Sequence, residues 1–334
     1  MKKSVLILIM IVLTMMIGCS KESSGSKNTE LLHITAMCYA NGSDYENGAE
    51  LLALIYDVNK GSIIKSVQLP NDAVYPTCLY DDMNDKLYLT DSEKNESFDN
   101  LYCYDFKSAS KEKVTHGKFC FNDLIPLETN QILCNVAPES ATVCQPGIFD
   151  CKTKDIKYLD ANDDDTWFHS LSYNKDTDKI LAVTCSDKEM RSDRVCNETW
   201  IRPKKLELLS KDFESRQTIF QTEDYEIRTA RQLNDTEVIL AVDPCMGWDY
   251  SARRLFLLNT ETKESTEIEI PEITELQSFY PSADGKTIFI LGKGKIGKIS
   301  IYSYSLEDKV LVDLLDDIDS FAGFAEVVDF VYTS

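Results

Sequence analysis

Carboxylates and aromatic rings that recur together in polar segments are the residues of this 334-residue chain best suited to chemistry. Acidic residues fill most of the segments between apolar runs, and an aromatic residue often follows directly. Aromatic rings stack on apolar ligand faces, and carboxylates attract positive charge, so the pattern predicts a site for a sugar, a basic peptide or a cation. The candidate ligand-binding residues are Tyr75, Asp164, Asp165, Trp167, Glu223, Tyr225, Asp243, Trp248 and Tyr250.

The same segments also have a purely structural interpretation. With 56 acidic against 35 basic residues and a net charge of −21, acidic loops are expected anywhere on this chain. Carboxylate pairs could instead cleave glycosides, but the separation that decides this is spatial. The alternatives to non-catalytic binding are therefore a carboxylate-dependent hydrolase or lyase acting on glycans, a metal-dependent lactonase-like enzyme, and a structural accessory of a cell-envelope complex.

Other catalytic and metal-binding patterns are weak in the sequence. There is no Gly-x-Ser-x-Gly elbow, and no pairing of a cysteine with a histidine is evident. The run Asp160–Asp165 hints at a calcium loop but lacks the glycine and glutamate of an EF-hand, so calcium is the one cofactor considered. Gly292–Gly297 matches the dinucleotide pattern G-x-G-x-x-G, but it lies in a predicted hairpin and opens no helix.

The N-terminus predicts an exported protein. A basic start and an apolar run over 5–17 predict a signal peptide over residues 1–18. The tetrapeptide Met-Ile-Gly-Cys that ends at Cys19 resembles the bacterial lipobox. The resemblance implies a diacylglyceryl group on Cys19 and a lipid anchor in the cell membrane on its extracytoplasmic side; a plain secretory signal is the alternative. Residues 19–30 are then a lipidated cysteine and a flexible polar tether.

The net charge limits the classes of partner that this protein can bind. Without the two basic residues of the signal peptide, 33 of the 35 remain against 56 acidic residues. Such a surface repels phosphate backbones, so no nucleic acid is expected as a partner. A glycan, a basic peptide or an envelope protein fits the charge better, and the protein is expected to be a monomer.

The cysteines allow one local disulfide, Cys144 with Cys151 or Cys185 with Cys196. Four cysteines in apolar strands are predicted to be buried hydrophobic side chains: Cys78, Cys103, Cys134 and Cys185.

The elements that position these residues form a repeat. Around each copy of the repeat, four short strands separated by turns can be identified, and the first strand of the second unit is predicted to run from Val74 to Tyr80. The spacing of 45 to 60 residues is close to that of propeller blades. The sequence predicts an all-β fold, a β-propeller of about six four-stranded antiparallel blades, with seven as the alternative. The repeat is marked by an apolar strand ending in a short polar residue: Tyr56-Asp57, Tyr104-Asp105, Phe149-Asp150, Leu209-Ser210, Leu258-Asn259 and Tyr304-Ser305.

The first unit is incomplete and predicts how the ring closes. Leu31–Tyr39, Leu51–Asp57 and Ile63–Leu69 supply only three strands. Phe321–Tyr332 is left over at the other end of the chain, and pairing it with the first unit completes the ring and removes exposed strand edges. No linker or long helix interrupts residues 31–334, which are therefore predicted to be a single domain.

The segment Tyr280–Ile288 resembles the repeat of TolB-type propellers. Its sequence, Tyr-Pro-Ser-Ala-Asp-Gly-Lys-Thr-Ile, matches the Ser-Pro-Asp-Gly-Lys-like turn that joins the first two strands of a blade, with Ala283 in place of the proline. The resemblance implies the six-bladed fold and transfers no activity. In such blades, the connections between blades and the loops between second and third strands open on one face, here called the long-loop face, where the candidate residues are expected.

Overall fold

The computed structural model describes residues 29–39, 49–93, 98–117, 120–137, 141, 143–189, 204–244, 250–315 and 325–334. Predictions for residues 1–28, including the signal peptide and Cys19, lie outside this part of the chain, as does Trp248. Within it, no helix is long and apolar enough to cross a membrane.

The described residues form twenty-four strands. In chain order they are β1 Leu31–Tyr39, β2 Ala49–Asp57, β3 Ser62–Pro70, β4 Cys78–Asp81, β5 Lys86–Asp91, β6 Asn100–Asp105, β7 Ser110–Lys113, β8 Cys120–Glu128, β9 Gln131–Ala137, β10 Gln145–Asp150, β11 Ile156–Tyr158, β12 Thr166–Asn174, β13 Lys179–Ser186, β14 Lys204–Ser210, β15 Arg216–Thr222, β16 Glu226–Gln232, β17 Glu237–Asp243, β18 Arg254–Asn259, β19 Ser265–Ile268, β20 Ile273–Pro281, β21 Thr287–Gly294, β22 Ile299–Ser305, β23 Leu311–Asp313 and β24 Ala325–Thr333.

These strands pair into six four-stranded antiparallel sheets, the blades of a propeller. Blade A has the order β24-β1-β2-β3, and blades B to F each use four consecutive strands, starting with β4, β8, β12, β16 and β20. Outer strands such as β3 alternate between exposed and half-buried residues, whereas second strands such as β13 and β17 are almost continuously buried. The apolar runs of the sequence are therefore the strands held between neighbouring blades.

The ring closes as the sequence predicts. β24 pairs with β1 from Leu31 opposite Thr333 to Cys38 opposite Ala325, so the C-terminal strand becomes the innermost strand of blade A. An apolar cluster lies at each boundary between successive blades, including the boundary between F and A, where Phe289 and Leu54 pack in one cluster. The prediction of six blades is confirmed.

The recurring polar residue at the end of each third strand serves the turn that follows. A side-chain oxygen of Asp105, Asp150 or Asn259 accepts hydrogen bonds from the backbone N–H groups two and three residues later, at 2.8–3.0 Å. Asp, Asn and Ser favour such turns because the side chain replaces a backbone acceptor. A residue with φ between 51° and 68° completes each of the six turns: Gly61, Ala109, Lys154, Phe213, Lys263 and Lys309.

The TolB-like turn joins β20 to β21 as the resemblance implies. The Asp284 carboxylate accepts a hydrogen bond from the Ser282 hydroxyl at 2.7 Å and one from the Lys286 N–H at 3.0 Å. Gly285 has a φ of 69°, which an L side chain rarely adopts. The glycine-rich motif at the end of β21 serves packing, because a Cβ on Gly292 would lie 2.5 Å from the carbonyl oxygen of Glu275.

Candidate functional site

The candidate residues come from loops and strand ends on the long-loop face. Asp164 and Asp165 precede β12, which carries Trp167; Glu223 and Tyr225 precede β16; Asp243 ends β17. Tyr75 lies between β3 and β4, and Tyr250 lies in the loop between β17 and β18. They are thus distributed over blades B, D and E.

The carboxylate of Asp165 holds its own loop in place. It accepts hydrogen bonds from the Ser186 hydroxyl at 2.9 and 3.0 Å and from the Lys188 N–H at 2.8 Å. The hydrogen bond from the Lys188 backbone, followed by that from Ser186, lowers the pKa of Asp165. Asp164 is exposed, with its carboxylate 2.9 Å from the Lys188 ammonium group. Asp165 therefore ties the connection between blades C and D to the end of β13.

Asp243 lies in a buried ionic network that also contains three cations. Arg253 Nε is 2.9 Å from one carboxylate oxygen of Asp243, and Arg228 Nε is 2.5 Å from the other. Arg228 also reaches Glu226 at 3.0 Å, and Lys204 lies 3.8 Å from the same Glu226 oxygen. The side chains of Lys204 and Glu226 are fully buried. The network thus combines three cations with two carboxylates in a chain that is acidic elsewhere.

Arg253 connects this network to the next blade and to Tyr250. Its Nη1 donates a hydrogen bond of 2.8 Å to the backbone carbonyl of Gln277 on β20. Its guanidinium carbon lies 4.9 Å from the centroid of the Tyr250 ring, a cation–π contact. The Tyr250 carbonyl accepts a hydrogen bond of 3.0 Å from the Leu276 N–H. Here a cleft of about 320 Å³ opens between blades E and F, lined by Tyr250, Arg253, Arg254, Glu267, Pro271 and Thr274 among others.

Tyr75 is presented by a loop that a buried carboxylate organises. Asp99 accepts hydrogen bonds from the backbone N–H groups of Val74 at 2.7 Å and of Tyr75 at 2.8 Å, and from the Ser92 hydroxyl at 2.8 Å. The predicted strand starting at Val74 therefore begins only at Cys78, because Asp99 takes the N–H groups that a strand would need. The Tyr75 side chain is left 54% exposed.

Trp167 and Tyr225 are half-buried and each stacks on a second ring. Trp167 lies on His169, with ring centroids 4.7 Å apart and an angle of 21° between the planes. Tyr225 stacks on Phe256 at 6.0 Å and 4°. His169 Nε2 is also 3.3 Å from Cys185 Sγ, a contact between a histidine and a cysteine that is not evident in the sequence. Strand pairing creates this contact, since Trp167 lies opposite Cys185.

A second charged cluster lines the propeller axis, and sequence reasoning missed it. The innermost strands contribute Asp329, Asp123, Arg231 and Tyr280 from blades A, C, E and F. Arg231 Nη1 donates to the Leu171 carbonyl at 2.7 Å, and its guanidinium carbon lies 4.3 Å from the Tyr280 ring centroid. The signal in the sequence is limited to a charged residue beside apolar ones, as in Asp123-Leu124 and Asp329-Phe330.

The axial carboxylates bind protons more strongly than usual. Desolvation by the surrounding protein raises the pKa of Asp329 to about 7, and desolvation also raises the pKa of Asp123. Oδ2 of Asp123 and Nε of Arg231 are buried without a hydrogen-bond partner. In the part of the chain that the structure describes, no group of three or more His, Cys, Asp or Glu side chains is placed to hold a metal ion. In the calcium-loop candidate, Asp163 accepts backbone N–H groups instead.

Known proteins match this chain in structure but not in sequence. No family model and no curated protein matches it. A TolB-like protein from Agrobacterium tumefaciens has a TM-score of 0.55 at 8% identity, covering 84% of this chain and 88% of that one. A chain of a nidogen/laminin complex has a TM-score of 0.52 at 11% identity, with 85% and 92% covered.

An oligogalacturonate lyase in complex with manganese has a TM-score of 0.51 at 11% identity, with 86% and 73% of the two chains covered. At such identities the similarity concerns the fold alone. Together with the six closed blades and the turn at Ser282–Lys286, these similarities identify the fold of this chain as the TolB-type six-bladed β-propeller.

Proposed function

We propose that this protein is a lipoprotein, anchored in the cell membrane through Cys19, whose propeller binds a glycan outside the cytoplasm without catalysing a reaction. The basic start, the apolar run and the lipobox-like tetrapeptide support the anchor. The polar residues up to position 30 support a tether long enough to let the propeller reach ligands near the membrane.

The binding proposal rests on a difference between two kinds of residue on the long-loop face. The carboxylates stabilise the loops, and the aromatic rings remain accessible to a ligand. Asp165, Asp243 and Asp99 are each occupied by several hydrogen bonds or ion pairs within the face, so they build the loops. Tyr75, in one of these loops, remains exposed, and Trp167, at the start of β12 next to another, remains half-exposed. Fixed loops that present aromatic rings are a preorganised surface for a ligand.

A glycan fits this surface better than a basic peptide or a cation. Asp243 is already neutralised by two arginines, and the network around it holds more cations than carboxylates. A cationic ligand would therefore gain little there. A sugar ring offers an apolar face for rings such as Trp167 and hydroxyl groups for exposed carboxylates such as Asp164 and Glu223.

The binding test compares two surfaces of the soluble protein. The chain with Cys19→Ser is applied to a glycan array and a peptide array, and Tyr75→Ala and Trp167→Ala are each measured against the best hit. Each truncation should weaken glycan binding by about fivefold, since one aromatic contact contributes about 1 kcal/mol. Met83→Ala, exposed on the opposite face, is the control. Retention of peptides only, or a large fall in Tm in either ring variant, would contradict the proposal.

The anchor is tested separately by fractionation. The wild-type chain should sediment with membranes, and Cys19→Ser should be soluble. Membrane association that persists in Cys19→Ser would show that Cys19 is not the anchor.

A carboxylate-dependent glycan hydrolase or lyase is the second candidate. It is favoured by Asp123 and Asp329, two axial carboxylates with raised pKa values next to Arg231, because perturbed carboxyl pairs are common in active sites. Incubation of each glycan hit with the protein, followed by product analysis, separates the two candidates. Products that disappear with Asp329→Asn would establish the enzyme, and intact glycans would leave binding as the function.

A further inference from the structure

Cys120 and Cys144 form a thiol pair on the long-loop face of blade C. The side chain of Asn122 joins them: the Cys120 thiol donates to Asn122 Oδ1 at 3.4 Å, and Asn122 Nδ2 donates to Cys144 Sγ at 3.2 Å. Both cysteines are free thiols in this structure.

The chain around this pair allows the two sulfurs to approach further. Cys120 is the first residue of β8 and pairs with Ala137 of β9. Cys144 lies just before β10, beyond the last pair of that ladder, Gln145 with Val136. The two cysteines thus flank the same end of β9, at points where regular strand pairing stops. A disulfide needs Cα atoms about 4.4–6.8 Å apart, which is less than two strand spacings of about 4.8 Å, so the bond forms only if the ends of β8 and β10 move towards each other across β9.

The two thiols differ in access. Cys120 is half-buried and Cys144 is 7% exposed, so an external reagent meets Cys120 first. The S–H group of Cys144 donates to the Cys120 sulfur and lowers the pKa of the Cys120 thiol. Cys78, by contrast, is fully buried, and desolvation raises the pKa of its thiol to about 12.

We propose that Cys120 and Cys144 are a redox pair that closes to an intramolecular disulfide by exchange with an external disulfide. The Cys120 thiolate attacks one sulfur of the external disulfide, forming a mixed disulfide and releasing one thiol. The Cys144 thiolate then attacks Cys120 Sγ and releases the second thiol. The protein loses two electrons and two protons, and the external disulfide is reduced to two thiols. The physiological setting rests on the proposed extracytoplasmic location, where disulfides persist.

A disulfide between Cys120 and Cys144 would change the part of the long-loop face around Tyr75. Desolvation, followed by the charges of Cys120 and Cys144, raises the pKa of the Tyr75 hydroxyl group, so the state of the two thiols affects the surroundings of Tyr75. A bond between the ends of β8 and β10 would also release Asn122 from its bridging contacts. The redox state of the pair is therefore expected to change how Tyr75 is presented.

The test is disulfide mapping on the full chain in detergent. The reduced protein is incubated with oxidised glutathione, alkylated, digested and analysed by mass spectrometry with and without reductant. We expect a peptide that links Cys120 to Cys144, and a Tm several degrees higher than that of the reduced protein. Cys120→Ser and Cys144→Ser should each abolish the link, whereas Cys151→Ser, which removes the rival partner of Cys144, should leave it intact.

Several results would overturn the proposal. They are glutathione that remains on Cys120 without transfer to Cys144, a link from Cys144 to Cys151, or the absence of any link in protein that keeps its native circular dichroism. Mapping of the wild-type chain alone decides this if a serine variant fails to fold. Because the oxidation is carried out on purified protein, its result is independent of the fractionation and array experiments that test location and glycan binding.

Discussion

Asp243 on the long-loop face and Asp329 on the propeller axis are both carboxylates near arginines. Asp243 forms direct ion pairs with its arginines, whereas the hydrogen bonds of Arg231 on the axis go to other groups. Arg228 and Arg253 meet the Asp243 carboxylate at 2.5 and 2.9 Å. Arg231 on the axis instead directs its hydrogen bonds at carbonyl and hydroxyl oxygens such as that of Leu171. The comparison shows that an arginine near a desolvated carboxylate is not enough to stabilise its charged form. Hydrogen-bond donors must also contact the carboxylate oxygens.

The largest effect should follow from breaking the contact on the long-loop face. Arg253→Met leaves the buried Asp243 carboxylate with one arginine only, so it should lower the free energy of unfolding by about 3 kcal/mol. Arg254→Met is the matched control. Its guanidinium group is largely exposed and lies 3.8 Å from Glu267, and such a pair contributes less than about 1 kcal/mol.

Urea unfolding of the two arginine variants provides the measurement. Equal losses for Arg253→Met and Arg254→Met would show that the buried network does not stabilise the fold.

The contribution of Asp329 to folding stability should change with pH in the opposite direction from that of a carboxylate in an ordinary ion pair. The pKa of Asp329 is about 7 in the folded protein against the usual value of 3.8, so the folded state binds its proton more tightly. This contribution to stability is complete below pH 3.8 and is lost as the pH rises towards 7. Asp329→Asn removes that loss, so its stability relative to the wild type should be higher at pH 8 than at pH 4 by about 4 kcal/mol, since one pKa unit corresponds to about 1.4 kcal/mol.

The effect of Asp329 is measured as a difference in stability between variant and wild type, because the titration of His33 also changes stability over an overlapping pH range. Burial lowers the pKa of His33 to about 3, so its neutral form in the folded protein gives a stability that rises with pH. This contribution is the same in both proteins and cancels in the difference. A difference between Asp329→Asn and wild type that is constant from pH 4 to pH 8 would refute the raised pKa.

The smallest effect should come from Asp165, whose pKa is lowered by backbone and hydroxyl donors. Its contribution to stability is present above the ordinary pKa of 3.8 and is lost as the pH falls. Asp165→Asn should therefore be less stable than wild type at neutral pH by less than about 1 kcal/mol, since the group is close to solvent. Thermal unfolding at pH 7 and pH 3 should show the difference shrinking at the lower pH, the reverse of the trend for Asp329→Asn.

Local chemistry made much of the fold predictable from the sequence. The polar residue that ends each third strand, as in Asp105 and Asn259, caps the turn that follows within three residues. Burial of Cys78 and Cys134 followed from the apolar strands around them. The start of β4 was misplaced, because the N–H groups of Val74 and Tyr75 bond to Asp99, about two dozen residues further along the chain.

The sequence by itself determined the blade repeat, the turns and the closing strand, because these depend on strand periodicity and on contacts a few residues apart, whereas the structure decided for six blades over seven. Only the tertiary structure decided which side chains meet: Asp243 with Arg253, His169 with Cys185, and Cys120 with Cys144. Such contacts depend on strand register and on the packing of one blade against the next. Neither leaves a local pattern in the chain, because residues brought together by pairing are separated by whole strands and loops.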